Sequence, residues 1–216
     1  MKLKITSALL ALTGMGFGAT ITLSSVGSNY DGSDDYGVLL STGVPVTASA
    51  GVARVGIFTT LTDAQVTALA VAGDYATLFA VGNFTSIVND NFTGINTAYG
   101  ANPGFVSASI TGYAVANPTE SLYVFITSGT ELGLFRSSLV LAADPAVPPE
   151  TTYAISFGSG TNVIGVAGPD YEVPYTGIAA GPKLVNSFQL VNTVPEPSAA
   201  LLGAIGALGL LRRRRN

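Results

Sequence analysis

Apolar and polar residues alternate along several separate stretches of this chain, and that period of two most restricts its fold. Val106, Ala108, Ile110 and Ala114 alternate with Ser107, Ser109 and Thr111. Tyr153, Ile155 and Phe157 alternate with Thr152, Ala154 and Ser156, and Phe188 and Leu190 with Ser187 and Gln189. Side chains on an extended strand point to opposite faces in turn, so each stretch reads as a strand with one face buried. Leu122 to Ile126 (LYVFI) is different, because it is apolar throughout. Such a run fits a central strand covered on both faces. Ile21–Val26, Tyr36–Leu40, Val52–Thr59 and Leu132–Val140 are weaker strand candidates.

One helix is signalled more sharply than any strand. Thr62 and Gln65 have the spacing of a capping box, and Leu61 and Val66 that of a hydrophobic staple. Val66, Leu69 and Ala70 then share a face, and Gly73 can end the helix in a left-handed conformation. Asp74 can cap a second short helix carrying Tyr75, Leu78 and Phe79. Asp144–Pro149 and the Gly/Pro-rich Gly165–Pro182 read as turns. The expected fold is mainly β: one antiparallel β-sandwich over residues 19–193, with one or two short helices covering an edge or an end.

Composition removes several kinds of chemistry. The 216 residues include no Cys and no His. Disulfides, thiol nucleophiles and Cys- or His-based metal sites are therefore excluded, along with the commonest general base. Only 10% of residues are charged, against about a quarter in an ordinary soluble domain. Of the nine basic residues, six sit near the termini, leaving Arg54, Arg136 and Lys183 in the body against twelve acidic residues. A body near −9 offers no footprint for nucleic acid or anionic lipid.

The mean hydropathy is positive, +0.48. Lys2 and Lys4 precede an apolar run, Ile5–Met15, followed by small residues at Gly16, Gly18 and Ala19. This is the pattern of a secretory signal peptide over residues 1–18, with cleavage after Gly18. At the other end, Ser198–Leu211 is a weakly apolar run containing Gly203, Gly206 and Gly209, and Arg212, Arg213, Arg214 and Arg215 follow it. As a helix the run reaches about 21 Å, short of a hydrocarbon core of about 30 Å. Snorkelling arginine stems and local thinning can make up the difference, which gives an expected C-terminal transmembrane helix. The arginines hold their side of the membrane cytoplasmic, so the body lies outside. The signal peptide gives the same topology.

Pro195-Glu196-Pro197, a short hydrophobic segment and a terminal Arg cluster together resemble the PEP-CTERM sorting signal over residues 194–216. The resemblance implies a bacterial export handled by a membrane-embedded exosortase, in Gram-negative-type bacteria that make exopolysaccharide. It makes Pro195, Glu196 and Pro197 recognition residues of a substrate. Two prolines also keep that segment extended, presenting Glu196 just outside the membrane.

No motif selects catalytic residues. A Ser–Lys dyad has only Lys183 to draw on, and no serine is marked as its partner. Paired carboxylates that hydrolyse glycosides would have to come from Asp170 with Glu172, or Glu120 with Glu131. Asp31, Asp34 and Asp35 form the densest oxygen cluster, yet they lack the ordered spacing of an EF-hand loop and read as a solvated turn. Asn83-Phe84-Thr85 and Asn91-Phe92-Thr93 read as surface or turn segments. The nine tyrosines fit either cross-strand packing or a sugar-stacking platform. The expectation is a non-enzymatic, cofactor-free surface or matrix protein whose partners are an exosortase, the membrane and exopolysaccharide. A carbohydrate-binding module is the alternative, and a hydrolase with paired carboxylates comes third.

Overall fold

A computed structural model describes residues 18–26, 35–48, 50–90, 92, 103–144, 150–175 and 181–193. In chain order the elements are β1 (Ala19–Ser24), β2 (Tyr36–Leu39), β3 (Gly51–Phe58), α1 (Asp63–Ala72), α2 (Tyr75–Leu78), β4 (Phe84–Asp90), β5 (Ser107–Tyr113) and β6 (Ser121–Ser128). They continue with β7 (Glu131–Val140), β8 (Thr152–Ile155), β9 (Gly160–Ile164), β10 (Val166–Tyr175), β11 (Gly181–Gln189) and β12 (Val191–Asn192).

The strands form a sandwich-like arrangement. The larger sheet has the order β12-β7-β6-β3-β4, with β9 also on β7. Two smaller sheets, β5-β1-β8 and β10-β11-β2, share its inner face. Ala53, Val55 and Ile57 of β3, Leu122, Val124 and Ile126 of β6, and Phe135 of β7 point into this core. They meet Ile21 and Leu23 of β1, Tyr153 and Ile155 of β8, Val38 of β2 and Phe188 of β11.

The continuous run Leu122–Ile126 is covered on both faces, as its composition predicts. Its even-numbered residues face the inner core, and Tyr123 and Phe125 pack on the other side. That second face decides where the helices go. They were expected at an edge or end of the sandwich, but they lie over the outer face of the larger sheet. Phe58, Tyr123 and Leu134 make that face apolar, so it needs a cover. Val66 and Ala70 of α1 and Leu78 of α2 supply it. Phe58 meets Tyr123 edge-on at 5.0 Å, and Phe79 stacks on Phe125 at 4.1 Å.

Local helix signals are realised in full. Thr62 and Gln65 close a reciprocal capping box, and Gly73 adopts φ +68° at the C-cap. Asp74 accepts a hydrogen bond from the Thr77 N–H and caps α2.

Two expectations are corrected here. The pairs β1–β8 and β2–β11 are parallel, so the sheets are not wholly antiparallel. Their partners lie more than 130 residues apart, beyond the range in which local turn signals set strand direction. The Gly/Pro-rich stretch from Gly165 is mostly strand: β10 pairs with β11 from Val166↔Gln189 to Tyr175↔Gly181. β10 is an edge strand, where a missing N–H does not break a ladder on both sides. Asn83-Phe84-Thr85 runs, as expected, from a turn at Asn83 onto the surface, where Phe84 opens β4 and Thr85 is exposed. The apolar segment Ser198–Leu211 lies outside the described residues, among which no helix is long and apolar enough to cross a membrane.

The described body begins and ends at opposite ends of the larger sheet. β1 starts beside the finish of β7: the Thr20 N–H donates to the Thr151 carbonyl, and the Ala142 N–H to the Tyr153 hydroxyl. Thr193 sits beside the start of β7. Its N–H (3.1 Å) and its hydroxyl (2.7 Å) both donate to the Thr130 carbonyl in the β6–β7 turn. A ten-residue strand such as β7 separates these ends by about 30 Å.

Candidate functional site

A pocket of about 180 Å³ opens where β2, β7, β9 and β11 converge. Tyr36, Phe135, Phe157 and Phe188 form its apolar walls, with Asn162 and Ser187 as polar members. Phe157 lies nearly parallel to Phe188 at 5.7 Å and edge-on to Phe135 at 5.3 Å. Gly160 is required here, because a Cβ would meet the Phe135 ring at 2.6 Å. The Ser187 hydroxyl already donates to the Pro169 carbonyl at 2.8 Å. The pocket falls below the ~300–1,000 Å³ of small-molecule sites. Apart from Tyr36 its lining holds no titratable group. It can seat a small apolar edge, and its lining supplies no acid–base pair.

A second constellation centres on Asp63, in the first turn of α1. Its carboxylate accepts from the Tyr123 hydroxyl at 2.6 Å, the Ser121 hydroxyl at 2.7 Å and the Arg136 guanidinium at 3.3 Å. Burial pushes the Tyr123 phenol well above its ordinary value, and the Asp63 carboxylate pushes it further, against the opposing effect of Arg136. A phenol held protonated and donating to a carboxylate is a structural tie. Sequence reading missed this cluster. The available signals were Asp63 directly after the Thr62 cap and Arg136 as one of three body cations.

The residues singled out from sequence fare differently. Pro195, Glu196, Pro197 and Arg212 to Arg215 lie outside the described residues, as do Asp31 and Asp34. Asp35 is described and does not sit on a solvated turn. It is 1% exposed at the head of β2, where its carbonyl accepts from the Asn186 N–H. Among the described residues no three His, Cys, Asp or Glu side chains are grouped to hold a metal.

Glu120 and Glu131 flank β6 at its two ends, more than 20 Å apart on about 3.4 Å per residue. A glycosidase pair needs about 5–10 Å. Both Glu131 oxygens are occupied, one by the Ser41 N–H (2.6 Å) and one by its hydroxyl (2.8 Å). Asp170 and Glu172 are exposed on β10, on either side of Tyr171. Lys183 faces Val173 across the β10–β11 ribbon.

The tyrosines mostly pack. Tyr123 and Tyr153 are buried, and Tyr36, Tyr75, Tyr113 and Tyr171 are half-buried. Tyr171 slots its hydroxyl end against Gly37 and Gly104, where only the absence of a Cβ leaves room. Burial raises its phenol well above the ordinary range.

No protein-family model matches the chain, and no curated protein or solved structure matches it either.

Proposed function

We propose that this chain is an exported, non-enzymatic bacterial surface or extracellular-matrix protein, delivered as the substrate of an exosortase. One observation carries the reading: a basic–apolar–small N-terminus is paired with Pro195-Glu196-Pro197, an apolar run and Arg212–Arg215 at the other end. Both segments place the body outside the cytoplasmic membrane. The body's use of its polar groups supports a structural role. Asp63 ties α1 to the larger sheet, Glu131 holds the β2–β3 loop, and the Asp144 carboxylate accepts the Val115 N–H at 2.9 Å.

The test is the intact mass and C-terminal peptide of the protein recovered from its native bacterium. A terminus near Pro195–Pro197 supports processing and release or re-anchoring in the matrix. A mass retaining Arg212–Arg215 would mean that the helix is the lasting anchor, and the exosortase reading would fall.

The second reading is a carbohydrate-binding module, favoured by the aromatic walls around Tyr36 and Phe157 beside Asn162. Binding to purified exopolysaccharide that is lost in Tyr36→Ala and Asn162→Ala would support it. Binding unchanged in both variants would remove this pocket from consideration.

A further inference from the structure

We infer that the end of the sandwich bearing the β6–β7 turn and the Ser41–Val44 loop rests on the membrane surface, with the opposite end held away from it. The inference rests on the proposed reading that Ser198–Leu211 enters the bilayer. It goes beyond that reading by assigning which face of the folded body meets lipid.

Tether length makes the argument. Thr193 is fixed to the Thr130 carbonyl by two hydrogen bonds, and β12 pairs with Glu131 and Leu132 just before it. Four residues, Val194, Pro195, Glu196 and Pro197, lie between Thr193 and Ser198, which makes five steps along the chain. At about 3.1 Å per residue for a proline-stiffened segment they reach only about 16 Å. The body is about 30 Å long in the strand direction, so the tether is shorter than the object it holds. The end that carries Thr193 is therefore kept close to the headgroups.

The chemistry of that end fits. Its exposed residues include Ser41, Thr42, Gly129, Thr130 and Val44, the last 52% exposed. The Glu131 carboxylate there is satisfied by Ser41. Apart from that carboxylate, the residues named here are hydroxyl-bearing or small, with one apolar side chain.

The chain has no cysteine, so single labels can be placed cleanly. Thr42→Cys marks the near end. Asn117→Cys marks the far end, in the loop between Val115 and Thr119, whose N–H donates to the Leu141 carbonyl. The exported chain, tail intact, is recovered from the membrane of a host lacking the sorting enzyme and placed in vesicles of phosphatidylcholine and phosphatidylglycerol. A fluorophore on each cysteine is then read against a nitroxide quencher on the lipid headgroups.

The expected result is several-fold stronger quenching at Thr42 than at Asn117. Equal quenching, or stronger quenching at Asn117, overturns the orientation while leaving the anchoring tail intact. A chain absent from the membrane fraction overturns the anchoring itself, and the orientation with it. Inserting twenty Gly/Ser residues after Thr193 lengthens the tether by about 25 Å on average. This insertion is expected to erase the difference between labels, and a difference that survives it would show that the tether does not set the orientation.

Discussion

The Tyr123 hydroxyl donates to the Asp63 carboxylate at 2.6 Å, so the central strand of the larger sheet is tied to the first turn of the helix that covers it. Asp63 does three things at once. It receives two hydroxyls and a guanidinium, holds α1 against β6 and β7, and places negative charge at a helix N-terminus.

Loss of Asp63 is expected to cost more than loss of its cation. Asp63→Ala leaves the Tyr123 hydroxyl without its acceptor and should destabilise by about 2 kcal/mol. Arg136→Met removes a pair that is 33% and 41% exposed, worth under about 1 kcal/mol after solvent screening. Urea denaturation of the two variants and of the double variant checks this ranking. Equal losses would place the main stabilisation in the ion pair.

Alkaline pH is expected to loosen the fold through its buried phenols. Tyr123 and Tyr171 both lie above the ordinary value of 10.0 in the folded state. A raised folded-state value means that their contribution is intact below pH 10 and is lost as pH climbs from there towards the folded-state values. Phenolate absorbance should therefore show a late-titrating group that appears only together with loss of circular dichroism. Tyr123→Phe should flatten the fall in stability above pH 10.

The Tyr171 slot should be intolerant of a single methyl group. A Cβ on Gly37 would overlap the Tyr171 hydroxyl, so Gly37→Ala is expected to cost about 1–3 kcal/mol in displaced packing. Shortening the intruder in Gly37→Ala/Tyr171→Leu should recover part of that cost relative to Tyr171→Leu alone. Thermal melts of the three variants measure the coupling, and strict additivity would refute the contact.

Caps should matter at α1 in proportion to their geometry. Thr62→Ala removes the acceptor for the Gln65 N–H and should lower stability by about 1 kcal/mol. Gly73→Ala forces a side chain into φ +68° at a similar cost, since nothing else crowds that position. Hydrogen exchange in α1 should quicken in both. The Asp74 carboxyl, held below its ordinary value of 3.8 by the Thr77 hydroxyl and N–H, stabilises α2 above that pH. That contribution is lost as pH falls through the lowered value, and Asp74→Asn should remove the acid dependence.

Features set by neighbouring residues could be read from the sequence. The Thr62–Gln65 box, the Gly73 stop and the doubly covered run Leu122–Ile126 each depend on a few consecutive side chains. β10 was hidden because its glycines and prolines suggest turns, while its pairing partner supplies the ordering from elsewhere. Gly168 packs against Ser187 and Gly165 against Phe188, so these glycines mark close approaches between strands. The parallel pairs and the Asp63 cluster were hidden for a related reason: each joins residues between 58 and 150 positions apart, and no local pattern encodes such a meeting.

The same distant pairings set a timetable for folding. β1 sits between β5 and β8, and Thr20 is in register with Thr152. β2 waits for β11, since Tyr36 is aligned with Asn186. β1 thus gains β5 about half-way along the chain but its second neighbour only late, β2 gains β11 later still, and the loops that must close are long, which slows the search. Until then Ile21, Leu23, Val38 and Leu39 belong to strands with bare edges, the condition under which chains stick to one another. Closure of the sandwich is therefore a late, nearly simultaneous event, and the growing chain depends on being kept apart from its copies until its final strands arrive.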